Sequence, residues 1–508
     1  MPRLHIPNFL GGINTDAHST QLEVNEAQVL ENMWVDDKLF LGSQSYQTIL
    51  SCRPAYTRFN AVQIADINRP RVLLEDIGGS VGSAYYVGGL YVDGGGTSSS
   101  IVKVASGATT TKNFSATTTP SRGPRIIRSD LTDIFYFMLD GSVGYKLDAA
   151  RAVSNVTVVR GDTAVIYKNR LWYDDKVAGF NILKFSDVGA YETVGASSFL
   201  TIGNFDEMLT GLIPTSDKLI ILKEHSIWYL YPAANILDST IVQVDFTRGC
   251  EWPGEFLVTP YGIFIYSPLY GLQLYNNNLE SINLKINNSI KTVIRSYLLG
   301  DVDSNYGETR NRLAIYGDYL FIYNQLGTSG TLDNSVVYCY HLLSKRVFTF
   351  KFSETLGMLH SAQKPDGIIG AFSNYLTAIF DGYICQFSNQ GTPVETTISC
   401  KYRTGDLSCN PNDFGKQKKL NYIILTFIAP DNITPLTIKS YGDTVLKETL
   451  TLTPSTGYNS IRIDFTPTLS RGKFLGFQCE YSQPTSVTNN KFSLIDAIID
   501  YTVEDVLL

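Results

Sequence analysis

The sequence predicts an all-β protein: a β-propeller of six or seven blades, preceded by an N-terminal arm and followed by a C-terminal β-sandwich. Aromatic residues make up 12% of the 508 residues and charged residues only 18%, which favours strands over helix bundles or disorder. Between residues 213 and 275 one pattern occurs twice in succession: a turn, an apolar run, a second turn and a second β-rich run. This pattern is typical of β-hairpins. Similar units recur at steps of roughly forty to fifty residues, the length of a propeller blade. The predicted regions are 1–45 for the arm and a short helix, 46–390 for the propeller and 391–508 for the sandwich.

The arm opens with an apolar segment, a glycine pair and a turn. It is too short to form a domain, so we expect it to lie on something larger. Its candidate assembly residues are Phe9, Leu10, Gly11, Gly12, Ile13 and Asn14. A short helix is predicted to follow, because Asn25 can cap it and Ala27, Leu30 and Met33 fall on one helical face.

The predicted blades are recognised by a turn followed by an apolar run. The first apolar residues of these runs are Ile134, Leu171, Leu219, Ile263, Tyr319 and Ile368, with a weaker unit near Val72. A second helix, capped by Asn288 and ending at Gly300, is predicted within the longest step. The glycine run 94–96 is interpreted as a turn, because a phosphate-binding loop needs Gly-Lys-Ser/Thr at the start of a helix.

Beyond residue 391 the sequence pattern changes: the predicted strands are closely spaced and are separated by turns that contain Pro, Gly and Asp. Several strands alternate apolar and polar residues, which is typical of a sheet with one solvated face. The candidates, which together fit a β-sandwich, are residues 396–402, 420–428, 436–441, 449–452, 460–465, 474–481 and 492–501.

Composition also bounds the function. The net charge is −7 and the basic residues are scattered, which argues against a free-standing DNA-binding protein. The seven cysteines have no CxxC spacing and are expected to be reduced thiols. The start of the sequence lacks the apolar core of a signal peptide, and no apolar run reaches the roughly 18 residues of a membrane span. We therefore expect a soluble protein made in a cytoplasm.

No catalytic, cofactor-binding or metal-binding residues are predicted. The histidines (His5, His18, His225, His341 and His360) show no metal-ligand spacing. Asp174 and Asp175 are adjacent, whereas glycoside hydrolysis needs two carboxyl groups facing across a cleft. Ser186 and Gly189 resemble half of a sialidase Asp-box, but a β-turn is the better interpretation. The basic run 416–419 is interpreted as a solvated turn, with phosphate contact as the alternative.

Several stretches together resemble the nozzle or packaged-DNA stabilisation proteins of short-tailed phage tails, also called tail accessory factors. The similar segments touch about three-quarters of the chain: residues 11–15, 24–27, 31–36, 185–189, 219–227, 249–250 and 262–263. In 219–227 the shared pattern is Leu-Ile-Ile-Leu-Lys-Glu-x-Ser-Ile.

The resemblance implies a structural virion protein rather than an enzyme. It implies a homo-oligomeric, commonly hexameric, ring in the tail below the portal and adaptor, assembled in the host cytoplasm. Genomic DNA would pass through its channel without sequence-specific binding, and the arm would dock onto neighbouring subunits or the ring above. The alternative function is a glycan-binding or glycan-cleaving propeller that acts as a receptor-binding tail component; a cellular kelch-like scaffold is a third.

Overall fold

The computed structural model describes most of the chain. The described residues are 2–14, 17–39, 46–59, 63–64, 67–76, 84–93, 96–105, 108–113, 120–129, 133–140, 144–156, 161–175, 178–251, 253–267, 271–276, 278–282, 310–325, 336–352, 356–361, 376–380, 383–387, 395–431, 434–466, 468–485 and 491–504.

The N-terminal segment forms strands rather than an isolated arm. Its strands are β1 (Arg3–Ile6), β2 (Ala27–Glu31), β3 (Met33–Leu39), β4 (Tyr46–Cys52) and β5 (Tyr56–Arg58), with a 3-10 turn at Ser19–Gln21. The short helix predicted after Asn25 is therefore wrong: β2 and β3 occupy that stretch. Asn32, between them, has a φ of 58°, a left-handed conformation that asparagine tolerates and that separates the two strands.

Five consecutive four-stranded antiparallel sheets follow in a β-propeller arrangement, and within each sheet the strands pair in chain order. The sheets are β6 (Ile67–Asp76), β7 (Ala84–Asp93), β8 (Gly96–Ala105) and β9 (Ala108–Asn113); β10 (Pro120–Ser129), β11 (Ile134–Asp140), β12 (Gly144–Leu147) and β13 (Val153–Val156); β14 (Ala164–Tyr167), β15 (Arg170–Asp174), β16 (Ile182–Phe185) and β17 (Phe199–Thr201); β18 (Leu209–Pro214), β19 (Leu219–Lys223), β20 (Ile227–Tyr231) and β21 (Thr240–Asp245); and β22 (Phe256–Thr259), β23 (Gly262–Ser267), β24 (Gly271–Asn276) and β25 (Asn278–Ser281).

The cores of this region lie between neighbouring sheets, because each sheet buries both of its faces. Leu74 of the first sheet packs with Phe135 of the second, and Ile127 of the second packs with Leu171 of the third. The repeated hairpins around residues 219–231 and 263–275 are confirmed as β19–β20 and β23–β24. A 3-10 turn at Ile236–Asp238 joins β20 to β21.

Two further four-stranded groups differ from this pattern. The first, β26 (Arg310–Tyr316), β27 (Tyr319–Gln325), β28 (Val336–His341) and β29 (Arg346–Lys351), continues into a nine-stranded sheet. The second contains β30 (Leu356–Ser361), β31 (Leu376–Phe380) and β32 (Tyr383–Phe387), and its fourth strand is β5 from the N-terminal segment. The predicted helix after Asn288 and the predicted strand start at Ile368 lie outside the described residues.

The strands predicted after residue 391 are confirmed in type and order. They are β33 (Thr397–Thr404), β34 (Lys418–Ala429), β35 (Leu436–Gly442), β36 (Val445–Leu452), β37 (Gly457–Asp464), β38 (Arg471–Gly472), β39 (Leu475–Pro484) and β40 (Ser493–Val503), with a 3-10 turn at Pro411–Asp413.

These C-terminal strands share their sheets with the N-terminal segment. One sheet runs β3-β4-β40-β34-β37, with β1 paired to β40 and β38 to β34. The other runs β29-β2-β33-β39-β35-β36, so that β2 joins the C-terminal strands to β29. One hydrophobic core, which includes Phe9, Leu425 and Phe477, contains residues of both sheets.

Candidate functional site

Three phenylalanines are exposed at one end of two neighbouring sheets. Phe180, Phe205 and Phe246 are 49%, 77% and 74% exposed. They lie in the β15–β16 turn, in the β17–β18 loop and directly after β21. Because the strands are antiparallel and pair in chain order, these three positions fall at the same end of their sheets. We call them the aromatic rim.

An apolar stripe continues from the rim along β21. Val242 and Val244 are exposed and alternate with the half-buried Ile241 and Gln243, and the exposed Phe246 follows directly after the strand. Since β21 is the last strand of its sheet, its outer edge has no partner strand among the described residues. An edge strand with exposed apolar side chains is a surface suited to protein association.

The loops that carry Phe180 and Phe205 are bonded to each other. The Ile202 amide donates to the Asn181 carbonyl at 2.9 Å, and Asn181 Nδ2 donates to the Gly203 carbonyl at 2.9 Å. The Leu209 amide donates to the carbonyl of Phe180 itself at 3.2 Å. Backbone hydrogen bonds therefore fix the relative positions of two exposed phenylalanines.

Lys223, at the end of β19, also binds the β17–β18 loop, through its side chain. Its side chain is fully buried, and Nζ donates to the carbonyls of Ile202 at 3.0 Å and Asn204 at 2.8 Å. Glu207 Oε2 lies 3.4 Å from the same nitrogen. Burial lowers the pKa of Lys223, and the Glu207 carboxylate acts in the opposite direction. A buried lysine with a lowered pKa is a candidate for chemistry, but here the contacts of its nitrogen fix a loop.

The other residues of the Lys-Glu-x-Ser motif (223–226) also form hydrogen bonds with the β17–β18 loop. Glu207 Oε1 accepts hydrogen bonds from the His225 amide at 2.7 Å and from Ser226 Oγ at 2.8 Å. Glu224 Oε2 accepts one from the Met208 amide at 3.0 Å. The turn between β19 and β20 thus holds the loop that carries Phe205. His225 lies exposed in that turn.

The rim is acidic. Among the described residues, its loops and turns include the acidic Asp206, Glu207, Glu224, Asp245 and Glu251, with the basic Arg248 and the buried Lys223. This surface was not predicted from the sequence. The signal available there was the alternation of the apolar Val242, Val244 and Phe246 with the polar Gln243 and Asp245.

The predicted assembly residues of the arm contact their own chain. Phe9 is buried, with its ring 4.7 Å from that of Tyr402 and 6.4 Å from that of Phe477. Leu10 packs beside the same core, and its amide donates to Asn8 Oδ1 at 3.1 Å.

The glycine pair and the residues after it run between β2 and β29. The Gly11 amide bonds the Asn25 carbonyl at 3.0 Å, and the Ile13 amide bonds the Val347 carbonyl at 2.7 Å. Gly12 has a φ of +73°, and a Cβ there would come within 2.8 Å of the Val347 oxygen. Asn14 Nδ2 donates to Glu26 Oε2 at 3.0 Å. Their role in assembly stays a prediction, and Phe9 could contact a neighbouring subunit only by leaving the core.

The carboxylates considered for catalysis are buried in separate local contacts. Asp174 Oδ1 accepts from the amides of Asp162 at 2.8 Å and Thr163 at 2.7 Å, and Asp175 Oδ2 lies 2.6 Å from Lys184 Nζ. These contacts bind the end of β15 to the start of β14 and to β16.

The half Asp-box is a turn, as predicted. Ser186 Oγ accepts from the Leu171 amide at 2.9 Å, and the Gly189 amide donates to the Asn169 carbonyl at 2.7 Å. Gly189 has a φ of +71°, which glycine adopts without strain.

The basic run 416–419 is only partly solvated. Lys416 is exposed and lies 3.3 Å from Asp413 Oδ1, whereas Lys418 is buried and donates to the carbonyls of Lys416 and Lys473 at 3.1 and 2.6 Å. Lys419 forms an ion pair with Glu504. The interpretation as a fully solvated turn is therefore wrong for Lys418, where β34 already begins.

Within the ranges given above, no group of three or more His, Cys, Asp or Glu residues is placed to hold a metal ion. None of the seven cysteines, all of which lie in the described ranges, forms a disulfide bond. Of the histidines, His18 Nδ1 lies 2.9 Å from Thr20 Oγ1 and His341 Nδ1 lies 2.8 Å from Ser344 Oγ. None of the helices in the described residues has the length and apolar character needed to span a bilayer.

Comparison with known proteins finds similarity in fold alone. No protein-family model matches the chain, and no curated protein does. PorZ, an essential bacterial surface component of the type-IX secretion system of Porphyromonas gingivalis, is 12% identical with a TM-score of 0.37, over 69% of this chain and 43% of its own. The WD40 domain of Neurospora crassa Pan2 is 11% identical with a TM-score of 0.36, over 67% of this chain and 98% of its own. The chain thus spans less than half the length of PorZ, and neither likeness bears on function.

Proposed function

We propose that this protein is a structural subunit of the virion tail of a short-tailed phage, made in the host cytoplasm and assembled as a homo-oligomeric, hexameric ring that forms the tail nozzle. The ring encloses an axial channel, retains packaged DNA and lets it pass on ejection. Its partners are the portal and adaptor above it and other tail proteins. The sequence resemblance supports this proposal.

We further propose that the propeller has seven blades and that the two C-terminal sheets form a sandwich. The innermost strands support the blade count: β6, β10, β14 and β18 are neighbours in that order, and so are β22, β26, β30 and β6. A Cβ on Gly211 of β18 would meet the ring of Phe256 in β22, which links the two series. Val87 of the first sheet shares a core with Ile384 of the last.

The observation that carries the structural role is the aromatic rim. Three phenylalanines stand in solvent on loops that hydrogen bonds and a buried lysine hold in place, and such rigid aromatic side chains are typical anchors of protein interfaces.

The groups that an enzyme would use support a mechanical role as well. Asp174 and Asp175 bind strand ends, and Lys223 binds a loop. Each is a buried group whose described contacts are with its own fold rather than with an open cleft.

Two measurements together test this function: whether the chain is incorporated into tail-bearing particles, and whether the purified chain binds or cleaves glycans. Tail-bearing particles are purified from a host that lacks the chain and supplies it in trans, and the chain is sought in the particles by mass spectrometry. The purified chain is screened against a broad glycan panel with a turnover assay. We expect incorporation, and neither glycan binding nor cleavage. Saturable glycan binding or turnover would favour the receptor-binding alternative, and absence from the particles would contradict a nozzle.

A further inference from the structure

A second exposed surface, in the C-terminal region, has the opposite charge to the aromatic rim. Phe414 is 65% exposed, and Val445 and Leu446 are also exposed. The exposed lysines Lys416 and Lys473 lie in neighbouring turns, and the exposed Lys447 lies at the start of β36. We call this the basic turn surface.

Three contacts show that the turns of this surface are adjacent. The rings of Phe414 and Phe474 lie 5.5 Å apart in an edge-on arrangement. Lys418 Nζ donates to the Lys473 carbonyl at 2.6 Å, and the Asp443 amide donates to the Phe474 carbonyl at 3.0 Å. The turns before β34, between β35 and β36, and before β39 therefore form one surface.

Some of the charge on this surface is already neutralised. Lys416 pairs with Asp413, and Lys419 and Arg471 both pair with Glu504. The Asp443 carboxylate accepts from the Phe474 amide. Lys447 and Lys473 are exposed, take no part in these ion pairs and lie close in sequence to the apolar Leu446 and Phe474.

We propose that the aromatic rim of one copy docks onto the basic turn surface of a second copy. Both surfaces combine exposed apolar side chains with charge, acidic on the rim and basic on the turns, so apolar burial and charge attraction act together. Lysine ammonium groups also bind favourably over phenylalanine rings. Both surfaces are exposed in the single chain, so neither is covered by the other within one copy.

This contact joins two different surfaces, so it is heterologous, and repeated contacts of that kind close into a ring when the rotation allows. The inference rests on the self-association in the proposed function and specifies the surfaces that mediate it. Nucleic acid and anionic membranes are disfavoured occupants of the rim, because both carry the same sign of charge as Asp206 and its neighbours.

The test is a charge exchange on the full-length chain. The rim variant is Asn204→Lys with Asp206→Lys, and the turn variant is Lys447→Glu with Lys473→Glu; all four side chains are exposed. Asp217→Lys, in a turn at the opposite end of the β18–β21 sheet, is the matched control. Association is measured by analytical ultracentrifugation at low salt, and folding by circular dichroism.

We expect the wild type and the control to associate and each variant alone to associate at least tenfold more weakly. Mixing the two variants should restore association, because each supplies the charge that complements the other. Phe205→Ala with Phe246→Ala should also weaken association tenfold or more without unfolding the chain.

The outcomes separate this inference from the proposed function. Variants that associate as the wild type does, or a mixture that fails to recover, would overturn the inference and leave the ring standing. A wild type that stays monomeric would overturn both. If the wild type forms a ring that is absent from tail particles, the proposed nozzle function is contradicted. The proposed contact between the aromatic rim and the basic turn surface would still hold.

Discussion

Arg53 and Glu395 form a buried ion pair with two parallel contacts, Nη1 to Oε2 at 2.8 Å and Nη2 to Oε1 at 2.6 Å. Arg53 directly follows β4 and lies in the short connection to β5, the strand that completes the sheet of β30, β31 and β32; Glu395 follows β32 in the chain. Arg53 Nε also donates to Asn32 Oδ1 at 3.0 Å, and its guanidinium lies 4.6 Å from the ring centre of Phe352. The pair therefore links the segment that leads into β5 to the segment that follows β32.

Breaking this pair should destabilise the whole fold. We expect Arg53→Ala to lower the free energy of unfolding by about 3–5 kcal/mol, because it leaves the Glu395 carboxylate buried without its cation. The double variant Arg53→Met with Glu395→Leu should lose less, since no buried charge remains. Urea denaturation measures the free energy of unfolding of each variant against the wild type.

The control for that comparison is an exposed pair. Arg462 Nη2 and Asp464 Oδ1 lie 2.7 Å apart on the surface of β37, and Arg462→Ala should lower the free energy of unfolding far less than Arg53→Ala, because both partners stay in solvent. An Arg53→Ala chain as stable as Arg462→Ala would contradict the role of Arg53 as a fastener.

Lys223 should control the order of the rim. In Lys223→Met the carbonyls of Ile202 and Asn204 and the Glu207 carboxylate lose their shared donor, which should cost about 1–3 kcal/mol. Hydrogen exchange followed by mass spectrometry should show faster exchange in residues 202–208. Lys345→Met, an exposed lysine, serves as the control. Unchanged exchange in 202–208 would show that the loop does not depend on Lys223.

Phe9 should matter to folding before it matters to assembly. Its ring lies in the core against Tyr402 and Phe477, so Phe9→Ala should lower the free energy of unfolding by about 3–5 kcal/mol. Tyr458→Ala, an exposed aromatic position, should cost about 1 kcal/mol or less. Thermal denaturation distinguishes the two; equal melting temperatures would mean that the arm is not part of the core.

Alkaline pH should destabilise the protein partly through Cys409. Burial raises the pKa of the Cys409 thiol from 9.0 to about 12. The folded chain thus keeps a proton that the unfolded chain loses above pH 9, so this contribution is complete below pH 9 and is lost between pH 9 and about 12. The loss is at most about 1.4 kcal/mol for each pH unit.

The matched variant for this effect is Cys409→Ala, which keeps the Cβ at a residue whose φ is 67°. Urea midpoints at pH 8, 9 and 10 should fall less steeply for the variant than for the wild type above pH 9. Parallel curves would exclude Cys409 as a source of the alkaline loss.

The hairpins of the propeller could be predicted because the two strands of each hairpin and the turn between them are consecutive in the sequence.

The wrongly predicted helix after Asn25 shows where prediction from local spacing fails. Ala27 and Leu30 are both buried although they are three residues apart, because the pairing of β2 with β33 shifts register between Ala27 and Val29. A β-bulge of this kind gives a strand the spacing of a helix.

The long-range part could not be predicted from local patterns. Nothing near Tyr56 indicates that β5 pairs with β32, more than three hundred residues away, or that β2 lies beside β33. The candidate surface was missed for a related reason. Phe205 and Phe246 look like the other apolar residues of the repeats, and only the fold shows that they stand in solvent.

Electron microscopy of tail-bearing particles that contain this chain tests the nozzle proposal most directly. We expect its propeller in a closed six-fold ring around an axial channel at the far end of the tail, with the rim loops around Phe205 against the turns around Lys473 of the next copy. A peripheral spike, or a chain that encloses no channel, would contradict the nozzle.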